Sequence, residues 1–345
     1  MAEHASDVPD LDWCFDAVED VSRTFAITVS MLDEPMASRI CVGYLLCRVA
    51  DTVEDDGRIP PEERAALLRT YADALDTENE TDLDEFMDAV SPWIPADRTD
   101  DWRVVANADR VVAAFDAFPD ADREAMRPSV YELVDGMAAF VERHADTGGL
   151  RIASVDELEE YCWYAAGTVG DLVTNLLVPH VDDTRERVLR ENAEEFALLL
   201  QLVNIAKDVR DDYREEDNVY LPAPWLRDAG VPQDAVNAPE NREAVAGVVS
   251  RLVSHAREYA DGAQTYLEHL PQAYGNTLAA WAIPFLLAVG TMRELRDRPG
   301  DVLATGDAKV DRTEVYALIQ RFDDGVDHDE LAALRREIAA EPYRY

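Results

Sequence analysis

The stretch from Leu198 to Pro222, LLLQLVNIAKDVRDDYREEDNVYLP, constrains this chain more than any other. Leu198, Leu202 and Ile205 recur at helical spacing, so the segment begins as a buried helix. Asp208 and Asp212 follow one turn apart on one side of it, and Gln201 and Asn204 occupy the turns before them. Carboxylates and amides on the inward side of a helix are costly to desolvate unless something cationic meets them. A divalent metal is the natural candidate.

Residues 44 to 56, YLLCRVADTVEDD, repeat the layout. An apolar helix runs into Asp51 and Asp55, with Glu54 and Asp56 beside them and Arg48 one turn earlier. Hard oxygen ligands of this kind suit Mg²⁺ or Mn²⁺, and Mg²⁺ keeps several waters and shares its remaining positions with phosphate oxygens. Together the two stretches read as a diphosphate-holding site. Because 72 of 345 residues are acidic, a single Asp-x-x-x-Asp pair would read as a solvated helix face. Here each pair continues an apolar helix without a loop signal, and each has a base at hand, Arg48 in one and Lys207 in the other. Lys207 and Lys309 are the only lysines in the chain.

Helical periodicity continues nearly throughout, with no long Gly/Ser linker and no alternating strand pattern, which predicts one all-α domain over 1–345 with its core at about 12–340. Helices are expected over about 12–31, 37–55, 102–117, 121–145, 184–214, 240–270, 274–297 and 311–338. Pro60 and Pro61 open another, and Ser154 with Glu157 forms a capping box at the start of one more. Gly167 and Gly170 inside that helix imply that something bulky passes close to its backbone. The longest apolar run, Leu278 to Met292, is short for a bilayer and is interrupted by Pro284, so it reads as a core helix and no transmembrane segment is expected.

The net charge of −40 is spread along the whole chain and argues against nucleic acid and anionic membranes as partners. Such a surface suits a high-salt cytoplasm, where screening relieves self-repulsion. Cys14, Cys41, Cys47 and Cys162 lack C-x-x-C spacing and read as small buried hydrophobes in a reducing compartment. The acidic opening segment carries no signal-peptide pattern, and a cytoplasmic location is expected.

SRTF at 22–25, YLLCRVADTVEDD at 44–56, YCWYAAGTVG at 161–170 and QLVNIAKDVRDD at 201–212 resemble, in order and separation, four signature regions of the squalene and phytoene synthase family. YCWYAAG, AIP at 282–284 and AKV at 308–310 resemble the squalene synthase branch more closely. The resemblance implies a class I terpenoid-synthase helical bundle with a central cavity. It implies head-to-head condensation of two farnesyl diphosphates through presqualene diphosphate, with reduction by NADPH to squalene. Phytoene or dehydrosqualene synthesis without reductant is the alternative within the family, and a non-catalytic relative acting as an assembly factor is the alternative outside catalysis.

By the same resemblance Asp51, Asp55, Asp208 and Asp212 hold the metal, and Tyr161 handles a proton or diphosphate in the first condensation. Ser22, Arg23, Phe25, Tyr44, Arg48, Gln201, Asn204 and Lys207 meet substrate, while Lys309 and Asn204 lie toward the reductant. Peripheral membrane contact for product release is also implied. Relatives carry an arginine just before the closing YLP, where this chain has Asp217 and Asn218. Arg214, one turn earlier, is the remaining candidate for that phosphate contact.

Overall fold

Apolar residues at three- and four-residue spacing become helices almost throughout the computed structural model, which describes residues 8–76, 79, 81–271, 275–304, 308–323 and 325–344. In chain order the first ten helices are α1 Leu11–Val21, α2 Arg23–Ser30, α3 Met36–Asp55, α4 Pro61–Leu75, α5 Leu83–Val90, α6 Asp100–Val105, α7 Ala108–Asp116, α8 Asp120–Arg143, α9 Val155–Cys162 and α10 Thr168–Leu177. There follow α11 Asp183–Asp211, α12 Ala223–Asp228, α13 Arg242–Ala256, α14 Ala260–Glu268, α15 Thr277–Asp297, α16 Asp301–Ala304, α17 Arg312–Asp323 and α18 His328–Ala340. Among the described residues no strand forms, and only two isolated bridges occur, Leu32 with Gly275 and Arg151 with Val219. The chain is all-α.

Four expected helices are broken, that over 240–270 by a 3₁₀ turn at Arg257–Tyr259 between α13 and α14. The helix expected over 12–31 divides at Ser22, whose extended backbone ends α1 and whose hydroxyl accepts the Phe25 N–H at 3.3 Å to cap α2. The 102–117 helix begins earlier and divides at Asn107, whose backbone leaves the helical region. The 311–338 helix stops at Asp323 and restarts after Asp327, which forms a capping box with Glu330.

Two compact units emerge, each assembled from separated stretches of chain. One comprises residues 1–145, 168–182 and 271–280. Its core is carried by α3, with Ile40, Cys41, Leu45, Leu46, Val49 and Val53 buried, and by Val130, Leu133, Val134, Met137, Phe140 and Val141 of α8. The other comprises residues 146–167, 183–270 and 281–345. It is organised on α11, which spans 29 residues and buries Leu198, Leu199, Leu202, Val203, Ile205 and Ala206.

The apolar run at 278–292 extends into the 21-residue helix α15, long and apolar enough by length and composition to cross a membrane, which corrects the expectation that it falls short. However, 83% of its apolar window is buried inside the protein, as a core helix requires. Cys14, Cys41 and Cys162 are buried and Cys47 partly so, all as free thiols. Burial pushes Cys14 and Cys47 up to about 12 and the other two higher still, which keeps them unreactive.

Candidate active site

In the first unit the acidic pair lies at the C-terminal end of α3. Arg48 bridges its own helix: Nη1 donates to Asp51 Oδ2 at 2.5 Å and Nη2 donates to Tyr44 Oη at 2.5 Å. The Tyr44 ring stacks on Phe25 at 4.1 Å, so the SRTF segment supports this residue from α2. Arg23 is exposed, with no ion pair among the described residues.

Sequence reading missed Asp101, at the start of α6, whose carboxylate lies 3.9 Å from Arg48 Nε. Burial opposes the charge of Arg48, but Asp51, Tyr44 and Asp101 more than offset it and hold the guanidinium protonated. Burial and Asp51 push Asp101 upward, against the pull of Arg48. Asp51 and Asp55 are partly exposed, whereas neighbouring Glu54 is buried. The helix end is held from α4, where the buried Arg64 Nη1 donates to the Glu54 carbonyl at 2.7 Å.

In the second unit Gln201, Asn204 and Asp208 follow one another along α11, and Asn204 is exposed. Lys207 Nζ contacts Asp208 Oδ2 at 2.6 Å. The helix then widens into a π turn over Asp212–Glu216, which presses Asp208, Asp211, Asp212 and Glu216 into one electrostatic neighbourhood. Burial, Glu216 and Asp208 push Asp212 up to about 9, and Lys207 opposes them only weakly. A carboxylate in this position carries its charge at neutral pH only if a cation arrives. This donor set, all hard oxygen on one helix face, therefore fits a divalent ion of the Mg²⁺ kind. Among the described residues no three His, Cys, Asp or Glu side chains already converge as a closed metal cage.

The closing DNVYLP segment docks on residues 149–153 of the same unit. Val219 N–H donates to the Leu150 carbonyl at 2.8 Å, and Ile152 and Ala223 continue the pairing at 3.2 and 3.0 Å. Gly149 is required here, because a β-carbon would overlap the Asp217 backbone. Arg151, also missed by sequence reading, secures the turn through Asp217 Oδ1 at 2.7 Å and Asp234 Oδ1 at 3.1 Å.

Asn218 is buried and bonds inward. Its Oδ1 accepts the Leu150 N–H at 2.8 Å, while Nδ2 reaches Glu216 Oε2 and Tyr220 Oη at 3.1 Å each. Tyr220 Oη in turn lies 3.1 Å from Tyr161 Oη. Arg214 is exposed on the π turn.

Tyr161 ends α9, whose start is capped as expected by Ser154 Oγ on Glu157 N–H at 3.1 Å. A second π turn follows at Trp163–Gly167. The bulky neighbour expected at Gly167 is the Trp163 ring, which a β-carbon would overlap. Lys309 is exposed beside Val310, whose methyl a β-carbon at Gly290 would meet at 2.8 Å. The AKV segment therefore needs glycine on α15.

The fold is all-α, and each of the two long helices α3 and α11 carries acidic residues beside a base. A model of squalene/phytoene synthases matches residues 18–314. The chain belongs to the squalene/phytoene synthase family, whose named members here are prenyltransferases. It is 27% identical over 294 residues to the presqualene diphosphate synthase of Botryococcus braunii, covering 84% of this chain and 68% of that one. It is 26% identical over 293 residues to a squalene synthase of Candida albicans, covering 83% of this chain and 62% of that one. The chain thus spans about two thirds of the length of these relatives. Its fold matches a solved ligand complex of TcSQS with a TM-score of 0.77 at 22% identity, over 96% of this chain and 98% of that one.

Proposed function

We propose that this protein is a squalene synthase that joins two farnesyl diphosphates head to head and reduces the product with NADPH. The observation that carries the reading is the face of α11, where Asp208, Asp212 and Glu216 crowd together against the single charge of Lys207. Such a face has a purpose when a divalent ion arrives with a diphosphate. When bound, Mg²⁺ supplies positive charge to a departing diphosphate and NADPH supplies hydride.

In this reading Asp51 and Asp55 on one helix, and Asp208 and Asp212 on the other, are the residues that hold the metal. Arg48 is preset by Tyr44 and Asp51 as a fixed positive charge for the ester oxygens. Arg23, Lys207 and Arg214 add charge, and Gln201 and Asn204 complete the polar face. Loss of diphosphate from one farnesyl chain leaves an allylic cation. Attack on it by the double bond of the other, with loss of one proton, gives presqualene diphosphate. Tyr161 is the residue proposed to handle that proton or the departing diphosphate. A second loss of diphosphate, rearrangement and hydride addition complete squalene, and Lys309 is the residue proposed near the reductant. A passive assembly factor has no use for these four carboxylates on two helices.

The strong negative charge suits a salt-rich cytoplasm, and contact with a membrane would serve only product release. Product analysis tests the reading, with purified protein, Mg²⁺ and farnesyl or geranylgeranyl diphosphate, with and without NADPH. Squalene from farnesyl diphosphate supports it. Consumption of geranylgeranyl diphosphate alone would assign phytoene synthesis. A C30 product unaffected by NADPH would assign dehydrosqualene or presqualene diphosphate synthesis.

A further inference from the structure

A guanidinium donates from three nitrogens, and the structure satisfies two of those of Arg48. Nη1 donates to Asp51 Oδ2 and Nη2 to Tyr44 Oη, each at 2.5 Å. The third, Nε, is buried and makes no hydrogen bond, and the carboxylate beside it is Asp101, with Oδ1 at 3.9 Å. That separation is about 1 Å longer than an ordinary N–H···O bond, a gap that a small rotation of either side chain closes. Among the described residues Asp51 and Asp101 are the carboxylates paired with Arg48. Tyr44 offers its hydroxyl and its ring face, 5.2 Å from the guanidinium carbon, and no negative charge.

Asp51 therefore has two claims on it. In the function proposed above it holds the metal, yet its Oδ2 is committed to Arg48. A cation that draws on the charge of Asp51 leaves a half-buried guanidinium facing a second positive charge, which is costly unless another carboxylate stands by. Asp101 is held where that carboxylate is needed. Thr99 Oγ1 accepts the Trp102 N–H at 3.3 Å to cap α6, and Trp102 is buried. Arg103 ties the same turn to α1 through Asp20 at 2.7 Å. The turn is thus anchored against α3, while the Asp101 carboxylate itself is partly exposed and has room to move. Asp100, one residue earlier, is engaged elsewhere, accepting from Arg103 at 2.8 Å.

We propose that Asp101 is a positioning residue that takes over Arg48 when Asp51 turns to a metal-bound diphosphate, so that the arginine keeps its countercharge and its place at the ester oxygens. The inference rests on the function proposed above and adds how one arginine serves both states of the site. Without ligand, Asp51 balances Arg48. With ligand, Nη1 is released to a diphosphate oxygen and Nε closes on Asp101, so every donor keeps an acceptor. Without Asp101, Arg48 and the metal compete for one carboxylate, and the competition is felt only when metal and diphosphate are both present.

Calorimetric titration of the full-length protein with inorganic diphosphate in the presence of Mg²⁺ tests this without turnover. Asp101→Asn should weaken binding about fivefold or more, the loss of one charge-assisted contact. Asp100→Asn removes the same charge one residue earlier and should change binding less than about twofold. In an Arg48→Gln background Asp101→Asn should also cost less than about twofold, because its effect passes through the arginine; this double-mutant cycle separates a positioning residue from one that only adds to the acidic field. Asp101→Glu, which restores the carboxylate, should recover most of the affinity, and Asp101→Ser replaces the asparagine variant in the cycle if that variant folds poorly. Equal losses at positions 100 and 101 overturn the inference, as does unchanged binding in Asp101→Asn or a loss that persists in full without Arg48. A wild type that binds Mg²⁺ with diphosphate but consumes no prenyl diphosphate overturns the function alone, and one that binds neither overturns both.

Discussion

Asp212 concentrates the electrostatic problem that this protein solves at its site. Its folded-state value is raised to about 9 by burial and by Glu216 and Asp208. An acid raised on folding is protonated in the native state and ionised in the unfolded chain across the interval between its ordinary value and the raised one. Its contribution to stability is therefore complete at low pH and is lost as pH rises toward about 9. Without metal, the melting temperature of the wild type should fall faster than that of Asp212→Asn between about pH 5 and 9, and Mg²⁺ should remove much of the difference. Parallel curves for the two proteins, with and without Mg²⁺, would mean that no such crowding exists.

Asp51→Asn and Asp208→Asn should each lower turnover on the order of 10² to 10³ with the helical content unchanged, since each removes charge from the leaving group. Glu85→Gln and Glu215→Gln, at exposed positions of the same chemistry, should keep nearly full activity. Equal losses at all four positions would assign the activity to general acidity. The pairs Asp51 with Asp55 and Asp208 with Asp212 stand out in the sequence because one turn of helix separates the members of each. Asp101, Glu216 and Arg151 do not stand out, since they lie at a short helix start, on a π turn and in a loop, where no period links position to direction.

At the scale of elements, signature motifs coincide with interruptions of regular helix. SRTF is the break between α1 and α2, and YCWYAAG and DDYREE each contain a π turn. A π turn inserts a residue into the helical count, re-aims the side chains that follow and is common at functional sites. The sequence showed the motifs and the capping Ser154, but a π turn has no compositional signal separate from a helix, so its re-aiming stayed hidden. Gly167 was recognisable as costly, and only packing identified Trp163 as the reason. Gly167→Ala should destabilise the protein by about 1–3 kcal/mol through overpacking. Trp163→Leu in the same chain should recover part of that loss, measured as the coupling in a double-mutant cycle. Additive losses would show that the ring does not set the requirement.

For the whole molecule, −40 net charge over 345 residues sets the conditions in which the fold is stable. Raising KCl from about 0.1 M to about 1 M shortens the Debye length from about 10 Å to about 3 Å and should raise the melting temperature steadily. A melting temperature flat over that range would contradict adaptation to salt. The all-α class followed from periodicity alone. The division into two compact units did not, because each is built from separated stretches and no linker marks a boundary between them. A single domain over 1–345 accordingly remains our proposal for the folding unit.

Reductive head-to-head condensation is the central claim, and hydride transfer is the step that separates it from the other reactions of the family. The direct measurement supplies purified protein with Mg²⁺, farnesyl diphosphate and NADPH carrying deuterium at its transferable position, and then determines the mass of the C30 product. The account predicts squalene bearing one deuterium, and presqualene diphosphate accumulating when NADPH is withheld. A C30 hydrocarbon without deuterium, or a product that forms identically in the absence of NADPH, would contradict it.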